Sequence, residues 1–140
     1  MGNSAKHAAM AVLALALGAC AGDGGQSGMT YTDDRGVAEQ PYPASYRAEL
    51  LAFMKTYLNN PVGVKEAAIA EPVQRTVGGR LRYAVCLRYN AKDSDGNYRG
   101  QRERAILFVD ARLDRIVEDA ADVCAGAVYA PFPDLETMTR

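Results

Sequence analysis

Residues 80–91 read Arg-Leu-Arg-Tyr-Ala-Val-Cys-Leu-Arg-Tyr-Asn-Ala, and their strict alternation decides the fold. Leu81, Tyr83, Val85, Leu87 and Tyr89 fall on one side of an extended chain. Arg80, Arg82, Ala84, Cys86, Arg88 and Asn90 fall on the other. A period of two belongs to a β-strand with unlike faces. Just downstream, Asp93-Ser94-Asp95-Gly96-Asn97 carries the Asp-Gly pair that hairpin loops favour. Another strand is expected at 101–110. Its Ala105-Ile106-Leu107-Phe108-Val109 is apolar at every position, so it needs cover on both faces, as an inner strand does. Asp110-Ala111-Arg112 then turns the chain into a strand at 113–118. Upstream, Gly78-Gly79 signals a turn. Residues 64–77 read as a weaker strand, with Pro72 marking an edge or a bulge.

Further out the period changes. In residues 43–60, Tyr46, Leu50, Phe53 and Tyr57 recur at i, i+4, i+7 and i+11, with Met54 and Leu58 widening the stripe. That spacing predicts an amphipathic helix packed on the sheet. Pro43 or Ser45 can start it, and Asn59-Asn60-Pro61 ends it, because the residue before proline is driven out of the helical region. Residues 123–136 contain Pro131 and Pro133 and read as extended and irregular. The fold class is therefore α+β: one N-terminal amphipathic helix on a three- to four-stranded antiparallel sheet.

Composition narrows the function classes. The chain has 140 residues, with 16 Lys plus Arg against 17 Asp plus Glu, which suits one domain and argues against a nucleic-acid partner. No apolar run approaches the ~20 residues that cross a bilayer, which excludes a polytopic membrane protein.

The first residues read as an address. Lys6 gives a short positive start, Ala8–Leu17 is a ten-residue apolar run, and Leu17-Gly18-Ala19-Cys20 closes it. This arrangement resembles the lipobox of bacterial lipoproteins. The resemblance implies that residues 1–19 are removed and that the Cys20 thiol carries a lipid. Gly2 hints at myristoylation instead, but Lys6 stands where that motif wants Ser or Thr. Ala21, rather than Asp, follows Cys20. Within the lipoprotein resemblance this points to the periplasmic face of the outer membrane, with another bacterial membrane as the alternative. Residues 20–42, rich in Gly, Ser, Asp and Gln, then read as the lipidated end and a flexible tether. Residues 43–140 form a single α+β domain. The mature chain would keep 121 residues, Cys20 to Arg140, and lose His7, the only histidine.

With Cys20 committed to lipid, Cys86 and Cys124 are left as an even pair in an exported chain, which reads as a disulfide. Cys86 lies on the strand face opposite Leu81–Tyr89, so the bridge is expected to pin the C-terminal segment over that face. Spacing of 38 positions is unlike a redox Cys-x-x-Cys pair, and two thiols without histidine do not make a zinc site.

Little in the chain points to catalysis. Without His7 there is no Ser-His-Asp or Cys-His pair, and no phosphate-cradling glycine motif occurs. Asp93, Asp95 and Asn97 have the start of a calcium loop, but Tyr98 stands where glycine is needed and Arg104 where glutamate is needed. No cofactor or metal is implied. Two groups remain as candidate partner-binding residues. Arg80, Arg82, Arg88, Arg102 and Arg104 are expected to gather into a basic patch for an anionic envelope component, the alternative being the solvated face of a sheet. Tyr129, Phe132 and Leu135 are expected on a proline-stiffened strip that either docks on a partner or seals the second sheet face.

The stretches Cys86–Ala91, Cys124–Ala127 and Pro131–Glu136 resemble a group of small bacterial envelope lipoproteins, a likeness that brings no activity with it. Periplasmic lysozyme-inhibitor lipoproteins share size, anchor and disulfide, but their Ser-Gly-Ala-Arg-Tyr loop is missing. The small lipoprotein of the outer-membrane barrel-assembly machine has two helices before its strands, and one is evident here. The expectation is a non-enzymatic protein, anchored in the membrane through its lipid, that binds or supports another envelope protein or component. The alternative is an inhibitor or binding module for a soluble ligand such as a muramidase. A small hydrolase is a third reading, weakened by the missing histidine.

Overall fold

Helix α1, Tyr46–Tyr57, lays Tyr46, Leu50 and Met54 into the core, as the stripe requires. The computed structural model describes residues 39–140. The expected signal peptide (1–19), the candidate lipidation residue Cys20 and residues 21–38 of the expected tether lie outside the described residues. Ser45 takes the N-cap position without using its side chain, and Glu49 N–H bonds to the Ser45 carbonyl instead. At the far end Leu58 is extended, two residues before the Asn60-Pro61 stop.

Six strands follow: β1 Lys65–Ala70, β2 Val73–Val77, β3 Arg80–Asn90, β4 Arg102–Val109, β5 Arg112–Val117 and β6 Tyr129–Pro131. A four-residue helix, α2 Pro133–Glu136, closes the described chain. The sheet is antiparallel throughout, in the order β5-β4-β3-β1-β6, with β2 pairing β3 as well. The expectation of three or four strands is corrected upward for two reasons. The segment 64–77 runs along a single edge of β3 but breaks at Glu71-Pro72 into β1 and β2. Then β6, inside the stretch expected to be irregular, adds to the outer edge of β1 through Ala68↔Pro131 and Ala70↔Tyr129. Proline is tolerated there because an edge strand needs no donor on its outer side.

Gly78 and Gly79, at φ +58° and +74°, join β2 to β3 in a two-residue turn. Both positions need the left-handed region that glycine enters without steric cost. The opposite turn, Asp110-Ala111, adopts the same conformation without glycine (φ +51° and +61°). It is braced by buried Gln40, whose Oε1 accepts the Asp110 N–H at 3.0 Å.

The main core lies between α1 and one sheet face, with Val85, Leu87, Tyr89, Ile106 and Phe108 opposite the helix. On the other face Ala70, Cys86 and Ala105 lie under Ala120 and Cys124. The disulfide Cys86–Cys124 holds this cover down, as expected, with Cα atoms 5.7 Å apart. β4 is apolar on both faces because it belongs to both cores.

Candidate functional site

β6 extends the sheet beyond β1, but over only three residue pairs. N-terminal to Tyr129 the chain leaves the sheet plane, drawn over the second face by the Cys124 bridge. Past Ala70, β1 breaks at Pro72. Between β2 and the departing segment a cleft of about 340 Å³ stays open. Its floor is Ala70, Ala84 and Cys86, side chains too small to fill the gap. One wall is Val73 and Arg75 of β2; the other is Val123, Ala127 and Val128, with Tyr129 at the end. Val73 is 44% exposed and Val128 is 85% exposed. Large apolar groups left in water on either side of an apolar hollow mark a binding surface.

The charged groups that line the cleft, Glu71 and Arg75, are both engaged. Arg75 Nε donates to the Val123 carbonyl at 3.3 Å and Nη1 to the Gln74 carbonyl at 3.1 Å, so the guanidinium ties the two walls together. Glu71 Oε2 accepts the Tyr46 hydroxyl at 2.8 Å, and Arg47 Nη2 reaches Oε1 at 3.3 Å. The Tyr46 hydroxyl first, and Arg47 with it, hold the Glu71 carboxyl below its ordinary range. At one end Tyr129 donates to Glu103 Oε2 at 2.6 Å, while the Arg88 guanidinium lies 4.0 Å from its ring centre and bonds the same carboxylate at 2.8 Å. Burial and then the Glu103 carboxylate push the Tyr129 phenol far above its usual range. The cleft thus offers apolar contact and a neutral phenol rim. Among the described residues no three of His, Cys, Asp and Glu gather into a metal-binding group.

Several expected site residues are placed elsewhere. Phe132 and Leu135 have no exposed surface: both are 0% exposed and belong to the main core, on the helix face. The chain crosses the sheet edge at β6, so Tyr129 stays on the cleft face while the next residues pass to the other side. The C-terminal strip is therefore neither a free docking element nor a seal for one face.

The basic patch is also divided. Leu87 pairs with Arg104 and Tyr89 with Arg102, which puts those two arginines on the helix face. Arg80, Arg82 and Arg88 remain on the cleft face, and Arg88 is opposite Glu103. The cause is one extra residue. The loop pairs Lys92 with Tyr98; continued unchanged, that register would set Arg102 opposite Arg88. Two residues, 90 and 91, separate Lys92 from Tyr89, but three, 99–101, separate Tyr98 from Arg102. Gly100, at φ +95°, takes up the difference, and a one-residue slip exchanges the faces of a strand. Arg102 lines a separate polar cleft of about 240 Å³ with Tyr57, Asn59 and Lys92. Arg104 Nη1 is spent on the Glu103 and Glu118 carbonyls, each at 3.0 Å. In the loop itself, Asp93 Oδ1 accepts the N–H groups of Asp95 and Asn97, and Oδ2 meets Arg99 Nε at 2.6 Å. These bonds make it a loop cap.

The titrating groups set a pH window for the fold. The carboxyls of Glu71 and Glu118 lie below 4.5 and that of Asp93 below 3.8, each held down chiefly by hydrogen bonds to the ionised form. A lowered carboxyl contributes stability that is present above its unfolded pKa and lost as pH falls through the folded one. Tyr42, Tyr46, Tyr57, Tyr89 and Tyr129 are all raised above 10, with burial the first cause. Their contribution is present below the unfolded pKa and lost as pH rises above it. Thermal melts should therefore be flat from about pH 5 to pH 9, fall modestly below about pH 4.5 because these carboxylates are exposed, and fall more steeply above about pH 10. A melting temperature unchanged up to pH 11 would contradict the role of these phenols, of which Tyr46 and Tyr89 are buried.

Comparison with protein-family models, with curated proteins and with solved structures finds no match.

Proposed function

We propose that the chain is a lipid-anchored, non-catalytic protein of the bacterial envelope, held through Cys20 at the periplasmic face of the outer membrane, and that it binds another envelope component in the apolar cleft. The observation that carries the binding half is the cleft itself: a hollow floored by Ala70, Ala84 and Cys86 between exposed Val73 and Val128. The lipobox-like Leu17-Gly18-Ala19-Cys20 supports the anchor. Acylation by two or three chains gives stable attachment where one is marginal.

Each half has its own test. Radioactive palmitate is expected to label the wild-type chain and not Cys20→Ala; equal labelling of both rules out the anchor. Affinity capture from detergent-solubilised envelopes is expected to bring down a specific protein with the wild type. Its yield should fall at least fivefold with the double variant Val73→Thr/Val128→Asn. Both side chains reach solvent, so the double variant should fold normally. An undiminished yield removes the cleft from the proposal.

A further inference from the structure

Three strands present an outer edge without a partner among the described residues: β2, β5 and β6. Two of these are guarded. β5 is interrupted by a bulge opposite Leu107–Phe108 and carries Arg112, Asp114 and Arg115. β6 is three residues long and ends in Pro131. Bulges, charges and proline are the devices that keep an edge from recruiting another strand. β2 has one charge in Val73-Gln74-Arg75-Thr76-Val77, pairs β3 in an unbroken register, and borders the cleft.

The backbone of β2 is set to accept a neighbour. A two-residue turn closes on a hydrogen-bonded pair, here Val77↔Arg80, and bonded and non-bonded pairs alternate from it. Gln74 and Thr76 therefore turn their N–H and C=O groups to the open side. The Arg75 side chain takes the Gln74 carbonyl, which leaves the Gln74 N–H and both groups of Thr76. Val73 and Arg75 sit on the cleft face. Alternate side chains of an added strand would stand over the hollow and meet Val128 on its far wall.

Charge selects the occupant. Around the cleft, Glu71 is matched by Arg47 and Arg88 by Glu103, whereas Arg75 has no carboxylate partner among the described residues. Arg75 is directly opposite Arg82, and its own bonds go to carbonyls. A second copy of this chain is a poor occupant. Two-fold antiparallel pairing about the middle of β2 would set Arg75 against Arg75, and like charges opposed across strands destabilise.

We infer that the cleft takes an extended, acidic segment of a partner protein by strand addition along the outer edge of β2, with an apolar side chain in the hollow and a carboxylate beside Arg75. This rests on the cleft being the docking face, and the test separates the two claims. The probe is the fluorescein-labelled peptide Asp-Val-Thr-Val-Asp-Ala, titrated with the full chain and read by anisotropy. It is also made with N-methyl groups at alternate residues in each of the two phases. Strand addition uses the amides of one phase only, so one methylated peptide should bind at least tenfold more weakly and the other within threefold of the parent. Exchanging both Asp for Lys should weaken binding at least tenfold, and salt should weaken the parent peptide. Absence of binding, equal affinity of the two methylated phases, or equal affinity of the Lys peptide each overturns strand addition by an acidic segment. If the methylated phases bind alike and Val73→Thr/Val128→Asn still removes binding, the cleft stands and the strand mode falls. If that variant binds the parent peptide normally, both fall.

Discussion

Replacing Cys86 by Ser is expected to lower the melting temperature by about 15–25 °C, and Cys124→Ser should do the same. The bridge joins positions 38 apart. Closing a loop of that length in the unfolded chain is worth about 4 kcal/mol on the chain-entropy model, an upper figure because strain and residual structure reduce it. In a domain of about 100 residues 1 kcal/mol moves the midpoint by about 4–8 °C, and total stability is about 5–15 kcal/mol. Because either substitution breaks the same bond, the double variant should be no worse than the singles, and clearly additive losses would show that the two are not bonded. Reduction has a second, local effect. The wall carrying Val123, Ala127 and Val128 is attached to the second face through Cys124, so peptide binding should weaken in the Ser variants at temperatures where they remain folded.

Phe132→Ala is expected to cost about 3–5 kcal/mol, the range for removing a buried phenyl ring. Phe132 has no exposed surface, its N–H donates to the Ala67 carbonyl at 2.8 Å, and Arg47 lies 5.6 Å from its ring centre. Urea denaturation should show a lower midpoint at an unchanged slope. Hydrogen exchange should show early loss of protection in β1, where β6 and Glu136 also attach. A loss under about 1 kcal/mol would mean that the ring is not packed in the core. The outcome also separates two roles for the C-terminal strip: a docking residue loses partner binding with little change in stability, whereas a core residue does the reverse.

What was legible in the sequence followed from local rules. The period of two in β3, the stripe on α1, the loop capped by Asp93 and the turn at Gly78-Gly79 each need only a few neighbouring residues. The pairing of Cys86 with Cys124 followed from their number and the export-like N-terminus. The cover over both faces of β4 was legible too, because no single-faced strand is apolar at five consecutive positions. What was hidden depends on register between distant segments. β6 is too short and too proline-rich to announce itself, and it exists because the outer edge of β1 is there to receive it. The face of Arg102 and Arg104 turned on the one-residue excess around Gly100. The cleft is the gap between two chain breaks, at Pro72 and before Tyr129, and its most exposed large apolar residue, Val128, stands among small residues that carry no pattern.

The seating of β6 and Phe132 on β1 also bears on when the fold can form. β1 lies between β3 and the last strand of the sheet, and the core beneath it is filled by residues 132 and 135. The hairpins of β2–β3 and β4–β5 can close from nearby residues, but β1 gains its second neighbour only from a segment about 60 positions later in the chain. Such non-local pairing is slow, since loop-closure entropy is lost before the contacts repay it. The seating of β6 on β1 is therefore expected to follow the closing of the two hairpins. Until Tyr129–Leu135 arrive, β1 lacks its outer neighbour and the core beneath it lacks Phe132 and Leu135.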